Sequence, residues 1–176
     1  MKAVIVGCGR VGAGLAAELD RAGWQVLILD LSTAAFDRLP STFGGTAIRG
    51  DGTDEDTLRR EGAEGADLFL SLTEGDNRNV MAAQLGVEVL GARRTVAKIN
   101  DPVRAEAYAH FGITTLCRTN LMTSAVLGFM GQAVPDRPGM YAPTTPHSHA
   151  DGEPHPPDAP VPAPTPSALG RPSTEV

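Results

Sequence analysis

The sequence predicts an α/β fold: six parallel strands, doubly wound in the order 3-2-1-4-5-6, followed by a disordered C-terminal tail. Three observations carry this. Short apolar, β-branched runs alternate with longer segments of helical periodicity, the pattern of a parallel sheet with right-handed crossovers. The first apolar run, Val4-Ile5-Val6, ends in three glycines, Gly7, Gly9 and Gly12, spaced G-x-G-x-x-G at the start of a helical segment. Finally, the composition breaks near Pro135: 12 of the 14 prolines and three of the four histidines lie from there to Val176. That stretch has too few aliphatic residues to offset the entropy of ordering. The expected organisation is a nucleotide-binding domain over residues 1–134 and a proline-rich tail over 135–176.

Taken in order, Lys2 to Val6 is a buried strand and Val11 to Ala22 a helix, with Val11, Leu15, Ala16 and Leu19 on its packing face. Gly23 follows as a stop. Gln25 to Leu29 is a second strand, with Asp30 at its C-terminal end. Ser32 or Thr33 caps a short helix to about Leu39, and Thr46 to Ile48 is a third strand. This β-α-β-α-β half is the mononucleotide-binding unit of a Rossmann-type sheet. After the Gly50-Asp51-Gly52 turn, Thr53 or Asp54 caps the next helix, and Asp67 to Leu72 is the fourth strand. Asp76 is placed to cap a long helix to about Leu90, before a fifth strand from Arg94 to Ile99. Asp101-Pro102 starts a helix to about His110, with aspartate as cap and proline at the first helical position. Gly112, a sixth strand from Ile113 to Leu116, and an apolar helix from Asn120 to Met130 complete the domain.

Composition excludes several classes. The net charge of −6, from 15 basic and 21 acidic residues, argues against a nucleic-acid binder. Two cysteines, Cys8 and Cys117, make no disulfide framework, which suits a reducing compartment. No run approaches the roughly 20 apolar residues of a membrane span, and no signal peptide is recognisable. The expectation is a cytoplasmic protein that reaches a membrane only through a partner.

The glycine turn suits a pyrophosphate. Its first glycine makes the bend, the second admits the phosphates and the third lets helix pack on strand, while the helix N-terminus offers free N–H groups. Asp30, about 20 residues on, is placed to accept the ribose hydroxyls of an adenosine. Its charge disfavours the 2′-phosphate of NADP, and leaves NAD, NADH, ATP and ADP open. Asp51 and Thr73 close the third and fourth strands at the ligand-binding edge, where Asp51 meets the adenine end and Thr73 the phosphates or a second ribose; turn and cap chemistry is the alternative for both. Lys98 points a cation to the same edge, for a phosphate or for an ion pair with Asp76 or Asp101. Cys8, inside the glycine turn, is expected to pack, although a thiol near a helix N-terminus is open to acidification.

Catalytic groups are the gap. A dehydrogenase needs a substrate domain and a proton donor. His110 lies at a helix end, Tyr108 has no Tyr-x-x-x-Lys partner, and His147, His149 and His155 lie in the tail. A nicotinamide-dependent oxidoreductase subunit completed by a partner's substrate domain is the alternative reading.

Five stretches also resemble a known family: Val4 to Gly12, Val26 to Asp30, Gly50-Asp51-Gly52-Thr53-Asp54, Thr73-Glu74-Gly75-Asp76-Asn77, and Ala97 to Pro102. Together they are similar to the N-terminal nucleotide-binding (KTN, or RCK N-terminal) domain of the Trk/Ktr potassium-uptake regulators, from Met1 to about Gln132. The resemblance implies a non-catalytic regulatory subunit that binds NAD(H) or adenine nucleotides, forms dimers or larger rings and gates a membrane potassium translocator. The binding positions it implies are Gly7, Cys8, Gly9, Arg10, Val11, Gly12, Asp30, Asp51, Thr73, Glu74 and Lys98, with no metal. It also likens the helix from Asn120 to Met130 to the family's crossover helix between protomers. Family members usually continue into a second small α/β domain where this sequence has its proline-rich stretch, so a partner chain is expected to supply it.

Overall fold

The computed structural model describes residues 1–110 and 113–137. Phe111, Gly112 and residues 138–176, which include most of the expected tail, lie outside the described residues, as do the side chains of Ala109 and His110. Six parallel strands form one sheet: β1 (Lys2–Val6), β2 (Gln25–Asp30), β3 (Thr46–Arg49), β4 (Leu68–Ser71), β5 (Thr95–Ile99) and β6 (Thr115–Cys117). Their order is β3-β2-β1-β4-β5-β6, as the alternation of strands and helices predicts. β1 is central, with Val4 beside Leu27 of β2 on one side and Phe69 of β4 on the other.

Alternation along β1 feeds two cores. Val4 and Val6 pack with Leu27, Leu29 and Phe69 against Leu58 of α2 (Glu55–Arg60) and Ala82 of α3 (Asp76–Gln84). Ile5 packs with Val26, Ile28 and Leu70 against Ala13 and Ala16 of α1 (Arg10–Arg21) and Ala35 of a 3-10 helix (Thr33–Arg38). A third cluster joins α3 and β5 to Ala105 of α4 (Pro102–His110) and Cys117. Helices therefore cover both faces, and the C-terminal strand ends gather at one edge, where the reversal of strand order beside β1 opens a crevice.

The α1 stripe departs in part from the periodicity reading. Ala16 is buried and Leu19 packs on the core as expected, and Gly12 and Ala13 are buried too, whereas Val11 and Leu15 are exposed. Close approach decides this: a Cβ on Gly12 would stand 2.0 Å from the Gly7 carbonyl oxygen. A helix held that near the turn presents its smallest residues to the sheet over its first turns, and Val11 and Leu15 point outward there. Its C-terminus ends as expected. Gly23 is left-handed, with φ 81°. The Trp24 N–H reaches back to the Leu19 carbonyl at 3.0 Å, which closes the helix in a Schellman turn.

Asp76 is not the cap of α3; Gly75 holds that place and Asp76 is the first helical residue. The Asp76 carboxylate instead accepts from the Asn100 N–H and side-chain amide, both at 2.9 Å, and from the Asp101 N–H at 3.2 Å. Asp101 is the cap expected, accepting from the Val103 N–H at 2.9 Å. α3 runs on into one π-helical turn (Leu85–Val89), in which a Cβ on Gly86 would stand 2.9 Å from the Phe69 ring. The last helix, α5 (Arg118–Phe129), starts two residues before the expected Asn120. Its Leu121, Met122, Val126 and Phe129 are exposed, Phe129 to 93 %. No helix among the described residues is long and apolar enough to cross a membrane.

Candidate functional site

The crevice at the strand ends is a cavity of about 280 Å³, walled by the turns that follow β1, β2, β3 and β4. Gly7, Gly9, Asp30, Asp51, Thr73 and Glu74 of the sequence-predicted residues line it, joined by Gly50, Gly52 and Arg78.

The glycine turn is set by three different constraints. Gly7 takes φ 105° and a Cβ there would meet the Thr73 amide nitrogen at 2.9 Å, so the β1 turn lies directly against the end of β4. Gly12 is required by the Gly7 carbonyl, as above. Gly9 is different: φ is −72°, open to any residue, and a Cβ would meet nothing within 4 Å. Packing within the chain does not call for a glycine here. Gly9 lines the cavity and precedes α1, whose first N–H groups have no side-chain cap. Open space beside uncapped helix donors is the cradle that a phosphate's close backbone approach requires, so these residues fit a nucleotide diphosphate.

Asp30 holds the β2 side. Its Oδ2 accepts from the Cys8 N–H and its Oδ1 from the Ser32 N–H, at 2.8 and 2.9 Å. Both oxygens are therefore oriented by backbone and keep lone pairs for ligand hydroxyls. The Cys8 side chain is buried and donates to the Ala35 carbonyl at 3.4 Å. Burial first, and the Asp30 charge second, push its thiol pKa up, the reverse of the acidification that a helix N-terminus would cause. Arg10 and Val11 are exposed in the first turn of α1, outside the cavity wall.

Asp51 is anchored locally, Oδ1 accepting from the Thr53 N–H at 3.0 Å and the Thr53 hydroxyl at 2.8 Å. These bonds hold its carboxyl below the ordinary aspartate range, with a smaller push from the Arg78 charge. The alternative named for Asp51, turn chemistry, is present, and its place in the wall is present too.

Thr73 and Glu74 form the β4 side, organised by a residue the sequence reading did not single out. Asn79 of α3 is fully buried, on the same helix stripe as Ala83 and Gly86. Its Nδ2 donates to the carbonyls of Thr73 and Lys98 at 2.9 and 2.8 Å. Its Oδ1 accepts from the Thr73 N–H at 2.8 Å, the Thr73 hydroxyl at 2.7 Å and the Ser71 hydroxyl at 3.3 Å. A polar side chain on an apolar helical stripe was the available signal. Arg78, in the first turn of the same helix, also lines the cavity and was not singled out from the sequence.

Lys98 is buried, and its ammonium pairs with Glu74 at 3.2 Å rather than with Asp76 or Asp101. Asp76 is already committed to the Asn100 backbone, and Asp101 to its own helix. Glu74 Oε2 also lies 3.9 Å from Arg118 at the start of α5. Lys98 thus sits behind Glu74 and outside the wall itself.

The comparisons with known proteins match this architecture. The family model described as the TrkA-N domain covers residues 3–119. The Trk system potassium uptake protein TrkA of Streptomyces coelicolor is 45 % identical over 116 residues, covering 66 % of this chain and 52 % of that protein. The chain thus spans about half the length of that curated relative. Among solved structures, the Kef CTD of Shewanella denitrificans in an AMP-bound form superposes with a TM-score of 0.59 at 23 % identity, covering 76 % of this chain and 84 % of that one. The GsuK channel bound to NAD does so with a TM-score of 0.58 at 16 % identity, over 72 % of this chain and 23 % of that one. At those identities the likeness concerns the fold. With the family model covering most of the described sheet, the chain belongs to the TrkA-N domain family.

Proposed function

We propose that this chain is a regulatory nucleotide sensor of a potassium-uptake system. It binds NAD(H), or alternatively ATP or ADP, and does not consume it. The observation that carries this reading is Gly9: of the three glycines in the turn, it alone has no neighbour within the chain to explain it, and it faces the cavity. Family membership supports the regulatory role, as do the potassium-uptake name of the Streptomyces relative and the AMP and NAD of the two structural neighbours.

The binding residues in this proposal are Gly7, Cys8, Gly9, Arg10, Val11, Gly12, Asp30, Asp51, Thr73, Glu74 and Lys98. The phosphates sit at the α1 N-terminus, and Asp30 takes ribose hydroxyls. A second copy covers the exposed face of α5, giving a homodimer or higher oligomer. The partner is a membrane potassium translocator of the Trk/Ktr type, which the sensor meets at the cytoplasmic face. Residues 1–134 act as the binding domain. Gating works by population shift: a ligand that prefers one dimer geometry biases the translocator by its difference in affinity.

Calorimetric titration with NAD, NADH, ATP and ADP tests the reading, with Asp30→Ala as control. Saturable binding that Asp30→Ala abolishes is expected. Absence of binding by all four at millimolar concentration would sink it. Potassium uptake by cells carrying Asp30→Ala in place of the wild-type chain tests the regulatory half, and unchanged uptake would leave only an interaction module.

A further inference from the structure

Three residues in the first turn of α3 are tied to β5, to α4 and to the turn between them. Asp76 accepts from the Asn100 N–H at 2.9 Å, Asn77 accepts from the Arg104 guanidinium at 3.1 Å, and Asn79 donates to the Lys98 carbonyl at 2.8 Å. Arg78 stands among them and lines the cavity instead. It makes no hydrogen bond or ion pair with the described residues, and within the chain its charge acts on Asp51.

Arg78 reaches the cavity from the face of the sheet opposite α1. That helix packs with Ile5, whereas α2 and α3 pack with Val4 and Val6. The Gly50-Asp51-Gly52 turn folds over the same face, where a Cβ on Gly52 would stand 2.1 Å from Val6, which brings Asp51 toward Arg78. An anion in the cavity thus has helix N–H donors on one side and a guanidinium on the other. The order of the strands adds a direction. Asp30 ends β2, the glycine turn ends β1, and α3 follows β4, the next strand in that row.

Charge makes Arg78 decisive. The wall carries three carboxylates, Asp30, Asp51 and Glu74, and among the described residues Arg78 is the one cation that lines it. Lys98 is held by Glu74, and Arg10 lies outside the wall. Every further phosphate brings negative charge beside these carboxylates, in a crevice less screened than open water. A planar guanidinium with unbonded donors offsets that cost, because it meets phosphate oxygens with charge-assisted hydrogen bonds. We infer that Arg78 is a specificity-determining residue of this cavity: it holds the phosphate farther from the adenosine, and so separates nucleotides that carry a pyrophosphate from those with a single phosphate. This rests on the nucleotide-sensor reading and deepens it.

Calorimetry on the full chain with AMP, ADP and NAD tests the inference, using Arg78→Ala and Arg78→Lys. The wild type is expected to bind ADP about tenfold tighter than AMP, the effect of a charged hydrogen bond to the added phosphate. Arg78→Ala should lose about tenfold for ADP and for NAD while AMP stays within about twofold, and Arg78→Lys, which keeps the charge, should recover most of that loss. The exposed Arg78 side chain ties no element to another, so both variants should keep the thermal midpoint of the wild type. If Arg78→Ala does not fold, the comparison of ADP with AMP on the wild type still decides. AMP binding as tightly as ADP to the wild type, or Arg78→Ala weakening AMP and ADP alike or neither, overturns the inference while leaving the sensor reading intact. Failure of AMP, ADP and NAD alike to bind the wild type overturns both.

Discussion

Gly9 and Gly12 stand three residues apart in one motif, yet they answer to different neighbours. Gly12→Ala drives a Cβ to 2.0 Å from a backbone oxygen, where no side chain can yield. A loss of about 1–3 kcal/mol is therefore expected in urea unfolding. At Gly9 an added Cβ meets nothing. Gly9→Ala removes unfolded-state freedom, so stability should hold or rise by about 0.5 kcal/mol while nucleotide affinity collapses. Equal losses of stability in the two variants would refute this division of labour. Asp51 has a signature in acid. Its folded pKa is depressed, so its contribution is present above the unfolded value, about 3.9, and fades as pH falls through the lower folded value. Melting curves should therefore show Asp51→Asn less stable than wild type at pH 7, with the gap closing as the pH falls below the ordinary aspartate range. A gap that persists at low pH would assign the effect to packing. Cys8 shows why the motif alone is not enough at this scale: a helix N-terminus acidifies an exposed thiol, but this one points into the core.

Among elements, the first turn of α3 does the most joining. Asn79 ties the ends of β4 and β5 together, and Asp76 holds the Asn100-Asp101 turn that starts α4. The Thr119 hydroxyl of α5 then donates to the Asn100 carbonyl at 2.6 Å. A loop of the cavity and the exposed last helix are thereby fastened to the same turn. Asp76→Ala strips an acceptor from two backbone N–H groups and a side-chain amide, and should cost about 1–3 kcal/mol. Hydrogen exchange should speed at Asn100 and Asp101 ahead of β1 and β2, and uniform acceleration would contradict this local role. The α1 stripe teaches a related point. Periodicity finds a helix, but its rotation follows from the closest backbone approach, which here belongs to Gly12.

For the whole molecule, the unexplained surface is α5 and the residue after it. Met122, Phe129 and Met130 are between 62 and 93 % exposed, more large apolar area than one element usually leaves to water. If a second copy covers it, Met122→Asp with Phe129→Asp should shift the full chain from dimer or higher to monomer in sedimentation velocity. Both side chains are largely exposed within the chain. The monomer's stability should therefore change by no more than about 0.5 kcal/mol. An unchanged sedimentation coefficient would remove α5 from the assembly. The strand order, the Asp30 position, the glycine turn and the wall residues Asp51 and Thr73 were legible in the residues themselves, and Glu74 through the family resemblance. All but Glu74 depend on local rules: apolar runs of strand length, turn residues, and the fixed handedness of parallel crossovers. Asn79, the Glu74 partner of Lys98 and the outward turn of Val11 and Leu15 were not legible. The first two depend on contacts between residues 6 to 24 apart in the chain, which no spacing rule encodes. The sequence alone thus determined which edge of the sheet forms the cavity and six of the residues that line it, because strand ends and turns are set by near neighbours. Only the tertiary structure decided which of their donors and acceptors remain free, because that depends on hydrogen bonds made across the sheet.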